Sequence, residues 1–431
     1  MKPMGTIPRD FQVNPLQIGG RDAAHWAAVA GDTPLFVYDM AVVRDRIARF
    51  RAAFSSVDLH YAIKANPFAP LLAAMAPLVD GLDVASGGEL ALALAVKPGA
   101  RISFAGPGKR DDELVFAIRS GVTINLESAG EAARALAIGE RHGLTPRLAI
   151  RVNPELELRG SGMRMGGRAS PFGIDADRAA AVARHVIDAG ADWRGFHIFA
   201  GSQALDPQAI IETQAETLAL AGRLADAVGV MPPLVNLGGG FGIPYFPGEV
   251  PLEVGIIGNA LAEGLENRAP GLKDTRFAIE LGRWLVGEAG VYLTRVVDRK
   301  ESRGETFLVT DGGMNHQLAA SGNLGTVVKR NYPVTIATAV PNAPTETVSV
   351  VGPLCTPLGG PRHAAGRRCR RSGRSVHGGR LWTVGQPVCV SWAHPAARAA
   401  GGPKRAFLTQ FSPLSSHSGT IAVNLPPRRQ T

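Results

Sequence analysis

Apolar runs of four to seven residues recur through the body of the chain, at 59–63, 81–84, 101–104, 122–125, 147–152, 193–199, 234–237 and 276–280. Between them lie Ala- and Leu-rich stretches whose apolar positions return with a helical period, as at 127–142, 175–189 and 207–228. Short strands alternating with helices predict a parallel sheet, and eight such units close into a TIM-type (β/α)8 barrel. An open doubly wound sheet gives the same local pattern and is the alternative. Beyond residue 286 the pattern changes to β-branched stretches at 291–297, 306–310, 334–337 and 347–351, separated by Gly, Pro and Asn. These predict antiparallel sheet, to which an apolar stretch at 35–38 adds a strand. The expected architecture is α/β: a barrel over 39–285 and an antiparallel β domain built from both chain ends, 1–38 and 286–358.

Composition sharpens this picture at one place. The 431 residues carry a formal charge of +9, which taken alone suggests an anionic partner. However, residues 359–431 hold 12 Lys and Arg with no Asp or Glu, leaving 34 basic against 37 acidic groups in residues 1–358. The body is therefore a slightly acidic globular protein with a core of one large or two ordinary domains, and neither a nucleic acid nor a membrane is expected as a partner. Three cysteines, Cys355, Cys369 and Cys389, are too few for a disulfide framework and form no zinc pattern. The N-terminus lacks the apolar stretch of a secretion signal, and the densest apolar run, 90–96, is too short to span a bilayer. A cytoplasmic protein without a metal is expected.

In such a barrel the chemistry sits at the C-terminal ends of the strands. Lys64, Asp83, Arg151, His197 and Glu280 all fall there, and Gly238, Gly239 and Gly240 follow the seventh run. A lone buried histidine is usually a hydrogen-bonded core residue, and a lysine at a strand end often simply reaches water. Their coincidence at one mouth is harder to set aside. A desolvated lysine amine can form a Schiff base with a carbonyl, and closely spaced glycine amides suit a phosphate. A group bearing both is pyridoxal 5'-phosphate, whose ring nitrogen Glu280 would keep protonated.

The motifs occur in the order found in a known family. Tyr61-Ala62-Ile63-Lys64-Ala65-Asn66, Leu82-Asp83-Val84-Ala85-Ser86-Gly87-Gly88-Glu89, Arg151-Val152-Asn153-Pro154, Phe172-Gly173-Ile174, His197 with Gly201-Ser202-Gln203, the glycine loop, Glu280-Leu281-Gly282-Arg283 and Gly352-Pro353-Leu354-Cys355 resemble the pyridoxal-phosphate decarboxylases of ornithine, arginine and diaminopimelate. These enzymes have alanine-racemase-type barrels. The resemblance implies that Lys64 carries the cofactor, that His197 stacks on its ring, and that Ser202, the glycine loop with Gly282, and Arg283 hold its phosphate. Asp83 and Arg151 would complete the cofactor site. It further implies that Cys355 acts across the interface of a homodimer to reprotonate the α-carbon. An amino-acid racemase on the same fold and an inactive cofactor-binding remnant are the alternatives; resembling racemases place an arginine where Glu280 stands.

Where diaminopimelate decarboxylases carry an arginine and a tyrosine for the distal end of the substrate, Ala319 and Asn323 stand here, after Asp311-Gly312-Gly313-Met314-Asn315-His316. Neither binds a carboxylate as arginine does. Substrate contacts are therefore expected from Arg283, His316 and Asn323, and the substrate is expected to be an amino acid or carrier-bound amino acid other than diaminopimelate. Residues 314–332 and 160–167 look more like an exosortase-A-associated subgroup of the family.

After Leu358 the resemblance stops, and the tyrosine that the family places near its end is missing. Arg380-Leu381-Trp382-Thr383 can be encoded CGG-CTA-TGG-ACG, which one nucleotide later reads Gly-Tyr-Gly-Arg; similar shifts recover further family-like segments. A one-nucleotide frameshift near Leu358 accounts for the tail, and a genuine polyanion-binding extension is the alternative. On the first view 359–431 lie outside the fold and the β domain is truncated.

Overall fold

A computed structural model describes residues 7–12, 15–155, 163–164, 169–246, 248–317, 333–338, 345–355, 366–370, 380–384 and 421–424. Eight parallel strands form its centre: β1 (Asp58–Ala62), β2 (Gly81–Val84), β3 (Ile102–Phe104), β4 (Thr123–Leu126), β5 (Arg147–Asn153), β6 (Asp192–Ile198), β7 (Leu234–Asn236) and β8 (Arg276–Leu281). Each pairs with the next, and β8 pairs with β1, so the sheet closes into a barrel without an edge. Leu59, Tyr61, Leu82, Phe104, Ile124, Leu148, Ile150 and Ile279 have no exposed surface. Burial of such side chains contributes about 1.5–3 kcal/mol each, and this offsets the entropy of ordering the strands.

The connecting helices begin and end on local chemistry. Ser128 Oγ accepts from Glu131 N at the start of the helix Ala129–His142, and Gly143 ends it in the left-handed region. Periodicity alone starts that helix two residues early. The serine cap excludes Glu127, which turns into the barrel mouth. Asp206 caps Pro207–Val228, whose limits match the expected ones.

The second layer joins both ends of the body. Leu35–Asp39 pairs antiparallel with Gly290–Ser302, which reverses through Arg303 and Gly304, both at positive φ, into Glu305–Thr310. Glu305–Thr310 pairs parallel with Thr345–Val351, so the sheet is mixed and not purely antiparallel. Parallel neighbours cannot be joined by a tight hairpin, and residues 311–344, among them the strand Val334–Ile336, lie between the two in the chain.

Three segments of the basic tail also pair into this sheet, where the sequence leaves the domain truncated. Gly366–Arg370 joins Thr345–Val351, Arg380–Val384 lies between Gly290–Ser302 and Val334–Ile336, and Ile421–Asn424 joins Leu35–Asp39. Backbone ladders accept almost any side chain, and strands left as edges expose unpaired amides and carbonyls that such segments can satisfy. Among the described residues no helix is long and apolar enough to cross a membrane.

Candidate active site

Lys64 sits directly after β1 in a single 3-10 turn, Ile63–Ala65. Ile63 is buried and fixes the turn, while Lys64 is exposed at the mouth with its Nζ 5.8 Å from the centre of the Phe199 ring. The end of β8 comes against this turn because Gly282 has no side chain: a Cβ there would lie 2.9 Å from Ala65 Cβ. One glycine thus brings the lysine and the Glu280 strand together.

Glu280 and His197 are both buried, with Glu280 Oε2 3.1 Å from His197 Nε2. Neither ring nitrogen of His197 makes a directional hydrogen bond, so the contact is electrostatic. Asn236 Nδ2 donates to the same carboxylate oxygen at 3.4 Å. Burial pushes the Glu280 carboxyl up, but His197, with the Lys64 and Arg151 charges, outweighs it and holds the group well below the usual carboxylate range. The mouth therefore presents a buried anion.

On the adjoining side a phosphate-sized set of donors gathers. Ser202 Oγ is buried and has no partner. Gly238 and Gly240 take positive φ, and a Cβ on Gly239 would lie 1.9 Å from the Glu280 carbonyl oxygen, so this loop admits only glycine there. Ala204 N donates to Gly240 O at 2.9 Å, which docks the loop beside Ser202. Gln203, at φ 63°, donates through Nε2 to Ile243 O at 2.6 Å and accepts from Arg283 Nη1 at 3.2 Å, so one side chain ties the guanidinium to the glycine loop. An unpartnered buried hydroxyl, a side-chain-free loop and a cation close to a strand-end lysine fit a group that carries both a phosphate and a carbonyl. The expected residues suit pyridoxal phosphate.

Asp83 and Arg151 also reach the mouth, each with a protein partner. His60 Nδ1 lies 3.4 Å from Asp83, whose Oδ2 has no hydrogen bond. Arg151 Nη1 donates to Glu127 Oε1 at 2.8 Å, and its guanidinium lies 5.2 Å from the centre of the Phe172 ring. His316 belongs to the segment after Asp311 and pairs through Nδ1 with the Tyr292 hydroxyl at 2.8 Å. Cys355 is exposed, beyond the end of Thr345–Val351. Asn323 and Ala319 lie outside the described residues, as do 160–162 and 165–167. Three contributors escaped the sequence reading: His60, Glu127 and Gln203. His60 directly precedes the lysine motif, Gln203 stands inside the Gly201-Ser202-Gln203 motif without having been given a role, and Glu127 stands at a strand end as Lys64 does, so position was the available signal.

The pyridoxal binding domain of the pyridoxal-dependent decarboxylases matches residues 40–287. An L-glutamyl-[BtrI acyl-carrier protein] decarboxylase from Niallia circulans is 35% identical over 76% of this chain and 78% of its own. A diaminopimelate decarboxylase from Methanothermobacter thermautotrophicus is 34% identical over 80% and 81%. The crystal structure of diaminopimelate decarboxylase from M. jannaschii superposes with a TM-score of 0.75 at 25% identity, over 89% of this chain and 87% of that one. The matched domain runs from the helix before β1 to the turn after β8, the whole of the barrel whose mouth fits the cofactor, and on this ground the chain belongs to the pyridoxal-dependent decarboxylase family.

Proposed function

We propose that the barrel mouth holds pyridoxal 5'-phosphate on Lys64 and releases carbon dioxide from an amino acid or an amino-acyl conjugate. Bound pyridoxal phosphate supplies an electron sink for the carbanion that loss of carbon dioxide leaves. The observation that carries the reading is the buried Glu280 carboxyl, 3.1 Å from His197 on the strand whose end packs against the lysine turn. Such an anion stabilises a proton on a ring nitrogen, which is the state that draws electrons most strongly. Ser202, the amides of Gly238, Gly239 and Gly240, and Arg283 would hold the phosphate, and His197 would stand against the ring. Asp83, through His60, and Arg151, through Glu127, hold the charge balance of the pocket, and Gly282 admits the β8 end to it.

The substrate side rests on Arg283, His316 and Asn323. The absence of an arginine at 319 supports a substrate whose distal end is not the free amino-acid group of diaminopimelate, and the N. circulans relative, named for carrier-bound glutamate, supports a conjugate. Membership of an exosortase-associated subgroup is part of the same proposal. So are a cytoplasmic location and a homodimer in which Cys355 protonates the α-carbon in the partner's site. A one-nucleotide shift near Leu358 remains our reading of the tail; the strand pairing of its segments is by backbone and is indifferent to frame. Resequencing the gene there tests it, since an intact frame through codon 359 would remove it.

Purified protein loaded with pyridoxal phosphate and incubated with free and carrier-bound α-amino acids should release carbon dioxide from at least one of them. Exchange of the α-proton without carbon dioxide would replace the proposal with a racemase, and neither outcome would leave a cofactor-binding protein.

A further inference from the structure

Glu127 is a buried acid whose two carboxylate oxygens accept three hydrogen bonds at the mouth. Its Oε1 accepts from Gly106 N at 2.5 Å and from Arg151 Nη1 at 2.8 Å, and its Oε2 accepts from Gly173 N at 2.7 Å. Those donors come from the ends of β3 and β5 and from the chain where it returns to β5. The return is tight: Ile174 and Asp175 pair with Val152 and Asn153, and a Cβ on Gly173 would lie 2.7 Å from Asn153 N. A single carboxylate therefore fixes both stems of the excursion between Asn153 and Gly173, together with the Arg151 guanidinium. Lys109 and Glu131, paired at 2.7 Å behind it, satisfy one another, with Lys109 Nζ also donating to Gly106 O and Asn125 O. Glu127 is thus the carboxylate that pairs with Arg151.

Arg151 stands in register with His197 on the neighbouring strand, and His197 meets Glu280 at 3.1 Å, so Glu280 is a second buried anion on the same side of the barrel interior. Both are buried, and a buried guanidinium deprived of its partner takes the nearest alternative because an unpaired charge is so costly there. We propose that Glu127 is a positioning residue that keeps Arg151 away from Glu280, so that the Glu280 carboxylate stays free to face the ring nitrogen of pyridoxal phosphate. The inference rests on the cofactor reading of Glu280.

Glutamine is not a silent replacement. With donors on both oxygens, the Gln amide must turn an N–H either toward Gly173 N or toward the Gly106 and Arg151 donors, and in both orientations the negative charge that held Arg151 is gone although the shape is kept. A double-mutant cycle read on the apo-protein isolates the effect. Glu280→Gln should raise the unfolding equilibrium constant by at least tenfold more in the Glu127→Gln background than in the wild type, because only there does Glu280 carry the Arg151 charge. In a cofactor titration, Glu127→Gln should weaken pyridoxal phosphate uptake about tenfold. Adding Arg151→Gln should return uptake to within threefold of Arg151→Gln alone, and the absorbance band of the bound cofactor should return with it. Coupling between 127 and 280 of less than twofold overturns the proposal, as do losses of uptake that simply multiply. If Glu127→Gln yields no folded protein, Glu127→Asp runs the same cycle: it keeps the charge but is too short to reach all three donors. Wild-type protein that takes up no pyridoxal phosphate would count against the proposed function alone, since the apo cycle still decides the role of Glu127.

Discussion

His197 Nε2 and Glu280 Oε2 meet at 3.1 Å from strands β6 and β8, with β7 between them. The two side chains bridge the barrel interior above Asn236, whose amide also reaches Glu280. His197 thereby acts on Glu280 before any ring is present, and the charge state of the acid is built into the apo-protein.

That charge state has a pH signature. The folded carboxyl lies below its ordinary value, so its stabilisation is fully present above the unfolded glutamate range, near 4.5, and is lost as pH falls through the folded value of about 2. Glu280→Gln should therefore flatten the acid limb of the apo unfolding profile between those values while changing the neutral limb much less in slope. A variant whose acid limb matched that of the wild type would show that Glu280 is not held ionised.

Ser202→Ala separates binding from folding. The hydroxyl has no partner in the apo-protein, so its loss should change stability by less than about 1 kcal/mol, in either direction. A hydrogen bond to a charged phosphate contributes about 1.5–3 kcal/mol, so pyridoxal phosphate affinity should fall roughly 10- to 100-fold. Equal loss of melting temperature and affinity would make Ser202 a structural residue. Thermal unfolding of the apo-protein and a fluorescence titration with pyridoxal phosphate give the two numbers.

Lys64→Ala should leave the apo-protein within about 0.5 kcal/mol of wild type, because the side chain is exposed and the turn is held by Ile63. The same change should abolish cofactor that survives dialysis and borohydride reduction. Covalent retention in the variant would move the attachment point to another lysine.

Much of this was legible in the chain because the barrel writes its strands as short buried runs. The helix Pro207–Val228 carries its own start signal, Asp206 before Pro207, and the expected limits coincide with the structure. Lys64, His197, Glu280 and the glycine loop were legible because strand ends in such a barrel share one mouth. Glu127 was not, because an acid beside Ser128 reads as the first turn of the following helix until the cap is seen to exclude it. Gln203 was hidden for another reason: its positive φ and its bonds to Ile243 and Arg283 depend on residues 40 and 80 positions away. The parallel pairing of Glu305–Thr310 with Thr345–Val351 was likewise invisible, since β-branched runs show a strand but not its direction.

His60 offers a test at the opposite end of the pH range. It is buried on β1 and faces Asp83, with Asp58 and Glu280 also contributing negative charge. Burial disfavours the imidazolium, but Asp83 and the other acids outweigh it, so the folded pKa is raised above the ordinary 6.5. A raised histidine stabilises the fold fully below its unfolded value and loses that contribution as pH rises through its folded one. The stability difference between wild type and His60→Gln should therefore be largest below pH 6.5 and shrink as the solution becomes alkaline. Because Glu280 titrates far below this window, the two effects separate on one unfolding profile. Asp83→Asn should remove most of the same dependence, since it takes away the carboxylate that holds the proton on His60. If the His60→Gln difference were instead constant from pH 5.5 to 9, His60 would be neutral throughout, and the 3.4 Å contact would contribute packing but no charge.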